Sequence, residues 1–93
     1  EPVRKRLARL LLFLLKAEGV PLRAHSVVPP VCHRAEMAQM IGTTPETLSR
    51  TLRLMARQRL VRVSRREIRV ADPARLAALA AAESGVDASQ LLT

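Results

Sequence analysis

The chain has 93 residues, with Lys+Arg 16 against Asp+Glu 8, a formal net charge of +8, 48% hydrophobic residues and one aromatic, Phe13. That size admits one small domain with a core of closely packed aliphatic side chains, and it argues against a deep substrate cleft. A single cysteine, Cys32, excludes a disulfide framework and paired-Cys zinc sites, and no apolar run nears the roughly 20 residues of a membrane span, since Leu10 to Leu15 is closed by Arg9 and Lys16. A soluble chain in a reducing, cytoplasmic setting is expected, with no membrane partner. Glu1 in place of an initiating Met points to a processed chain or an excised domain.

Residues 2–18 read as an amphipathic helix: Pro2 suits the first turn, Val3, Leu7, Leu10, Leu11, Leu14 and Leu15 recur at helical spacing, and Gly19 is a stop. Leu12 and Phe13 widen the apolar stripe beyond one face. They are either core or part of a surface that packs on a partner subunit or a missing domain. From Gly19 to Cys32 the pattern breaks around Pro21, Pro29 and Pro30, giving a loop with at most one short edge strand at Val27 and Val28.

Helical spacing resumes from His33 to Ile41 through Met37, Met40 and Ile41, with Met37, Met40 and Met55 expected as core fillers, and Gly42 ends the element. Thr44-Pro45-Glu46 is a strong helix start: Thr44 as N-cap, Pro45 at the first helical position, and Glu46 where the helix dipole favours a negative charge. This helix is predicted to run to about Gln58. Leu60 to Val63 and Ile68 to Val70 are alternating runs around Ser64-Arg65-Arg66-Glu67, a hairpin with a basic tip. Asp72-Pro73 opens an Ala- and Leu-rich helix to about Glu83, and residues 84–93 read as a frayed tail.

The fold class is therefore mainly α with a small β-hairpin, a winged helix-turn-helix over residues 1–83: helix-turn-helix 33–58, wing 60–70, C-terminal helix 73–83. The basic charge follows that layout, with net +4 over residues 1–30, +6 over 31–70 and −2 over 71–93. Fourteen of the basic residues are Arg, which suits bidentate contacts to phosphate or base edges, although an Arg-rich genome would leave the same bias.

Wound at about 100° per residue, the helix after Thr44 places Glu46, Ser49, Arg50, Arg53 and Arg57 in one arc of about 100°, with Leu48, Thr51, Leu52 and Met55 opposite. Most charged helix faces are merely solvated. This one follows a tight turn, begins at a cap and is flanked by a basic hairpin. Arg50 can bond guanine O6 and N7, Glu46 can accept from a cytosine amino group or hold Arg50 in position, and Ser49 can donate or accept nearby. Arg34, Arg53 and Arg57 suit phosphates, and Arg65 and Arg66 at the hairpin tip suit the adjacent backbone or minor groove.

The run His33-Arg34-Ala35-Glu36-Met37-Ala38-Gln39-Met40-Ile41-Gly42-Thr43-Thr44-Pro45-Glu46-Thr47-Leu48-Ser49-Arg50-Thr51-Leu52 resembles the DNA-binding signature of the Crp/Fnr transcription regulators. The resemblance implies sequence-specific binding of double-stranded DNA, with Glu46, Ser49 and Arg50 as the base-reading triplet and a half-site with a TGA-like core. It places His33, Arg34 and Thr44 on the backbone list with the arginines, His33 standing where the family has Thr. It also implies a homodimer, RNA polymerase as a further partner of an activator or repressor, and an N-terminal sensor domain whose effector these residues do not identify. No cofactor is expected in this domain. Arg59 stands where many members have Gly or Asn, so a left-handed backbone there would be strained.

Other readings compete. The leucine-rich first helix could make this a winged helix for protein contact or dimerisation, with incidental DNA affinity. Nonspecific or RNA binding is disfavoured because stacking platforms need aromatics and only Phe13 is present. Cys32-His33 could bind a metal or sense oxidation, but reads better as a half-buried thiol beside a cap. No carboxylate pair with an assisting His or Lys is in view, so no enzyme and no catalytic residue is assigned.

Overall fold

A computed structural model describes residues 2–82. In chain order the elements are α1 (Val3–Ala17), α2 (Arg34–Met40), α3 (Pro45–Arg57), β1 (Val61–Val63), β2 (Ile68–Val70) and α4 (Pro73–Ala81). α2, the Gly42 turn and α3 followed by the β1–β2 hairpin make a winged helix-turn-helix. The tail predicted at 84–93, and Glu83 at the end of the last helix, lie outside the described residues.

α1 buries Leu7, Leu10, Leu11, Leu14 and Leu15 together with Ala8, the side predicted by their spacing, and packs on α4 and α3. The leucine-rich face is thus covered from within the domain. Two arginines fasten it: Arg4 donates to Gln58 Oε1 at 3.0 Å, at the end of α3, and Arg9 Nε donates to the Ala80 carbonyl at 3.0 Å, at the end of α4. Leu12 is half-buried against the core, whereas Phe13 is 60% exposed and points away from it.

Met40 corrects the sequence expectation in the same way, being 56% exposed rather than a core filler. α2 has only seven residues, and Met37, Ala38 and Ile41 already occupy its inward positions. Met55 is fully buried, as expected, beside Leu48 and Leu52.

Three helices end on one and the same turn. Past α1 the Val20 N–H donates to the Leu15 carbonyl and Gly19 N–H to that of Lys16; past α2 Thr43 donates to Ala38 and Gly42 to Gln39; past α3 Leu60 donates to Met55 and Arg59 to Ala56. Each is a Schellman closure, which needs a left-handed residue at its centre. Gly19 (φ +69°) and Gly42 (φ +71°) supply it at two ends, and Arg59 (φ +61°) at the third. Leu60 belongs to this closure rather than to the first strand, which is why β1 starts one residue later than predicted.

The hairpin pairs Val61 with Val70, Arg62 with Arg69 and Val63 with Ile68. Its two-residue tip, Arg65-Arg66, is closed by Ser64, whose N–H donates to the Glu67 carbonyl at 2.9 Å and whose hydroxyl accepts from the Glu67 N–H at 3.1 Å. The edge strand expected near Val27 is realised as a bridge from Val27 to Arg69, extended by Val28 N–H to Ile68, Val70 N–H to Ser26 and His25 N–H to Val70, each at 2.8 Å. β2 is therefore flanked on both sides, which removes an open sheet edge there. His25 takes φ +72° as the chain turns into this pairing.

Candidate nucleic-acid interface

Thr44 caps α3, its hydroxyl accepting from the Thr47 N–H at 3.2 Å, and Pro45 opens the helix without a donor to satisfy. From that start α3 has two unlike sides. Leu48, Leu52 and Met55 are at most 1% exposed, while Glu46, Arg50, Arg53 and Arg57 face solvent and Ser49 is half-buried at the margin. Thr51 uses its hydroxyl locally, donating to the Thr47 carbonyl at 2.8 Å.

Thr47, set outside the polar arc by its winding angle, turns out to organise its start. Its hydroxyl accepts from Thr44 Oγ1 at 3.1 Å and from an Arg50 guanidinium nitrogen at a long 3.4 Å. Glu46, considered in sequence as a partner for Arg50, makes no hydrogen bond or ion pair among the described residues. Arg50 thus leans lightly on a neutral hydroxyl and keeps most of its donors unengaged.

Between α3 and the hairpin lies an open groove of about 750 Å³. Arg34, Ser49, Arg53, Arg57, Ser64 and Arg65 line it over an apolar floor of Leu52, Ala56 and Val63. Four guanidinium groups from three elements converge there with no carboxylate among the described lining residues, so the groove concentrates positive potential. Arg34, the first residue of α2, is placed by a bond to the wing: its guanidinium donates to the Ser64 carbonyl at 2.8 Å.

Of the residues singled out in sequence, Arg34, Ser49, Arg53, Arg57 and Arg65 share this groove. Thr44, Glu46 and Arg50 stand at the start of α3, outside it. His33 is the N-cap of α2 with a side chain 92% exposed; the bond there runs the other way, Glu36 accepting from the His33 N–H at 3.0 Å. Arg66 parts from Arg65 at the tip and faces Pro29, Pro30 and Cys32 across a cavity of about 60 Å³. Burial, and then the Glu36 charge, push the half-buried Cys32 thiol above its ordinary range, which favours the thiol over the thiolate.

Two positioning residues were not legible in sequence. Ser64 holds Arg34 across 30 positions. Gln58 receives Arg4 at its side chain and, at 2.9 Å, Arg75 at its carbonyl, tying α1 and α4 to the end of α3. Neither carries a local signal, because both partners come from distant elements. Among the described residues no group of three or more His, Cys, Asp or Glu could hold a metal ion, and no helix is long and apolar enough to cross a membrane.

The family model of the Crp-like helix-turn-helix domain matches residues 5–79. A transcriptional regulator of the CRP/FNR family from Thermus thermophilus superposes with a TM-score of 0.73 at 24% identity, over 90% of this chain and 43% of its own. A transcriptional regulator of the CRP family from the same organism gives 0.71 at 28% identity, over 88% of this chain and 42% of its own. The chain thus spans less than half the length of these two structures. None of the curated proteins matches it.

Proposed function

Since the chain belongs to the Crp-like helix-turn-helix family, we propose that it binds double-stranded DNA sequence-specifically, as the DNA-reading domain of a transcription regulator. The observation that carries this proposal is the groove between α3 and the wing, where Arg34, Arg53, Arg57 and Arg65 converge with no acid among the described lining residues. A helix is narrow enough to enter the major groove, about 12 Å wide, and in helix-turn-helix domains the N-terminal part of the second helix meets the base edges. Here that part presents Glu46, Ser49 and Arg50. Arg50 takes guanine O6 and N7 with two parallel bonds, Glu46 accepts from a cytosine amino group, and Ser49 serves an adjacent position.

The groove arginines then lie over the flanking sugar-phosphate chain, with Arg66 at the wing tip and His33 and Thr44 at the starts of the two helices. Their contacts set register and affinity and carry no sequence information. The regulator acts as a cytoplasmic homodimer on two half-sites about one helical turn apart, with RNA polymerase as its downstream partner and with no catalytic step or cofactor in this domain. Tight binding requires both copies, because one module lacks the avidity of two.

Selection of the full-length regulator on random duplexes tests the proposal, with Arg50→Ala in parallel. The substitution is expected to cost about 1–3 kcal/mol on the selected sequence and to relax preference at one base pair. Equal losses on selected and random DNA would remove Arg50 from base reading, and failure to enrich any sequence would overturn specific recognition.

A further inference from the structure

We propose that Arg59 and Arg62, beside the Glu67-paired Arg69, form a second phosphate-binding face on the outer side of the hairpin, which holds the DNA backbone beyond the half-site gripped by α3. The inference rests on the DNA-binding reading above and extends it to residues that neither the α3 arc nor the groove includes.

Two structural costs meet on this face. The strand register sets Arg62 directly opposite Arg69, although the pairs on either side, Val61 with Val70 and Val63 with Ile68, are apolar. Like charges at such a site repel, since directly opposed side chains are only about 5 Å apart at Cβ. Glu67 relieves Arg69, accepting two bonds from its guanidinium at 2.9 and 2.7 Å. Arg62 is exposed and has no carboxylate partner among the described residues. The second cost is Arg59, which takes a left-handed backbone in a turn that elsewhere in the chain uses glycine. Both oddities place a guanidinium in solvent on the same side of the domain.

The surface between them suits a polyanion. Arg59 and Arg62 border a depression of about 660 Å³ with Asp72, whose carboxylate is engaged by the Arg75 N–H at 3.1 Å. Arg62 and Arg69 border another of about 330 Å³ with His25 and Glu67. The two depressions meet at Arg62, and the second reaches the α3 groove through Val63 and Ser64, so the basic surface continues around the hairpin. Among its described lining residues the hydrophobic side chains are those of Ala56, Val61, Val63 and Ala71, with no Phe, Met or Leu. A protein partner would need such an anchor at the centre of its interface, whereas a phosphate chain needs only spaced guanidinium groups.

The test compares two duplexes carrying the selected half-site, one ending at its borders and one extended by about 10 base pairs at each end, roughly one helical turn. The unsubstituted chain is expected to show a steeper fall of log K with log salt on the longer duplex. Arg62→Ala combined with Arg59→Gly should remove that increment, flattening the slope by about one unit per lost contact, and leave binding to the short duplex unchanged. Both positions are exposed and glycine suits the Arg59 backbone, so the variant keeps the fold, which its circular dichroism and melting temperature verify. Equal slopes for variant and parent on the long duplex would overturn the second face, while Arg50-dependent binding of the short one would leave the function itself standing. Loss of binding by the parent chain on both duplexes would overturn both.

Discussion

The ends of α2 and α3 share one backbone path and differ in the residue that makes it possible. Both close through the same pattern of carbonyls, at φ +71° for Gly42 and +61° for Arg59. A Cβ built on Gly42 meets nothing within 4 Å, so glycine is there for its backbone freedom and not for space. Arg59 lacks that freedom and holds the turn nonetheless. The strain is outweighed by anchors on both sides of the turn: Leu60 and Val61 are buried beyond it, and Arg75 and Arg4 fasten Gln58 before it. Tertiary packing can impose a conformation that local chemistry resists. At the turn between the two motif helices the sequence provides glycine instead.

Gly42→Val should give the largest effect: a β-branched residue at that φ is expected to cost about 2–3 kcal/mol in chemical denaturation. A loss under about 0.5 kcal/mol would mean that the α2–α3 turn can relax, and the contrast with Arg59 would collapse. Thr44→Ala, at the opposite end of α3, should cost about 1 kcal/mol by orphaning the Thr47 N–H, which supplies a hydrogen-bond yardstick for the strain measurements. The smallest change runs the other way. Arg59→Gly is expected to stabilise the fold by about 0.5–1 kcal/mol, the relief of the left-handed penalty less the added entropy of glycine in the unfolded chain. A destabilised variant would show that the Arg59 side chain contributes more to the fold than its exposure suggests.

The pattern of success in the sequence comes from the same physics. Thr44-Pro45, Asp72-Pro73, Gly19 and Gly42 act on their own neighbours, so they placed helix ends to within a residue or two wherever the chain is described. The arc of Glu46, Arg50, Arg53 and Arg57 was likewise legible, since it needs only the pitch of a helix. Phe13 and Met40 were not, because an apolar stripe says how much surface a helix could bury and not how much its neighbours cover. The groove was half legible: each arginine carried a signal, but its assembly depends on a bond from Arg34 to a carbonyl 30 positions away, and the parting of Arg65 and Arg66 depends on which wall each meets.

That bond between Arg34 and Ser64 has a consequence for kinetics. A long arginine loses rotamer freedom when it is fixed, and a wing that swung freely would have to be ordered at each encounter. Here both restrictions are met while the chain folds. On the proposed reading the groove is shaped before DNA arrives, and encounters are expected to be limited by approach and orientation rather than by rearrangement.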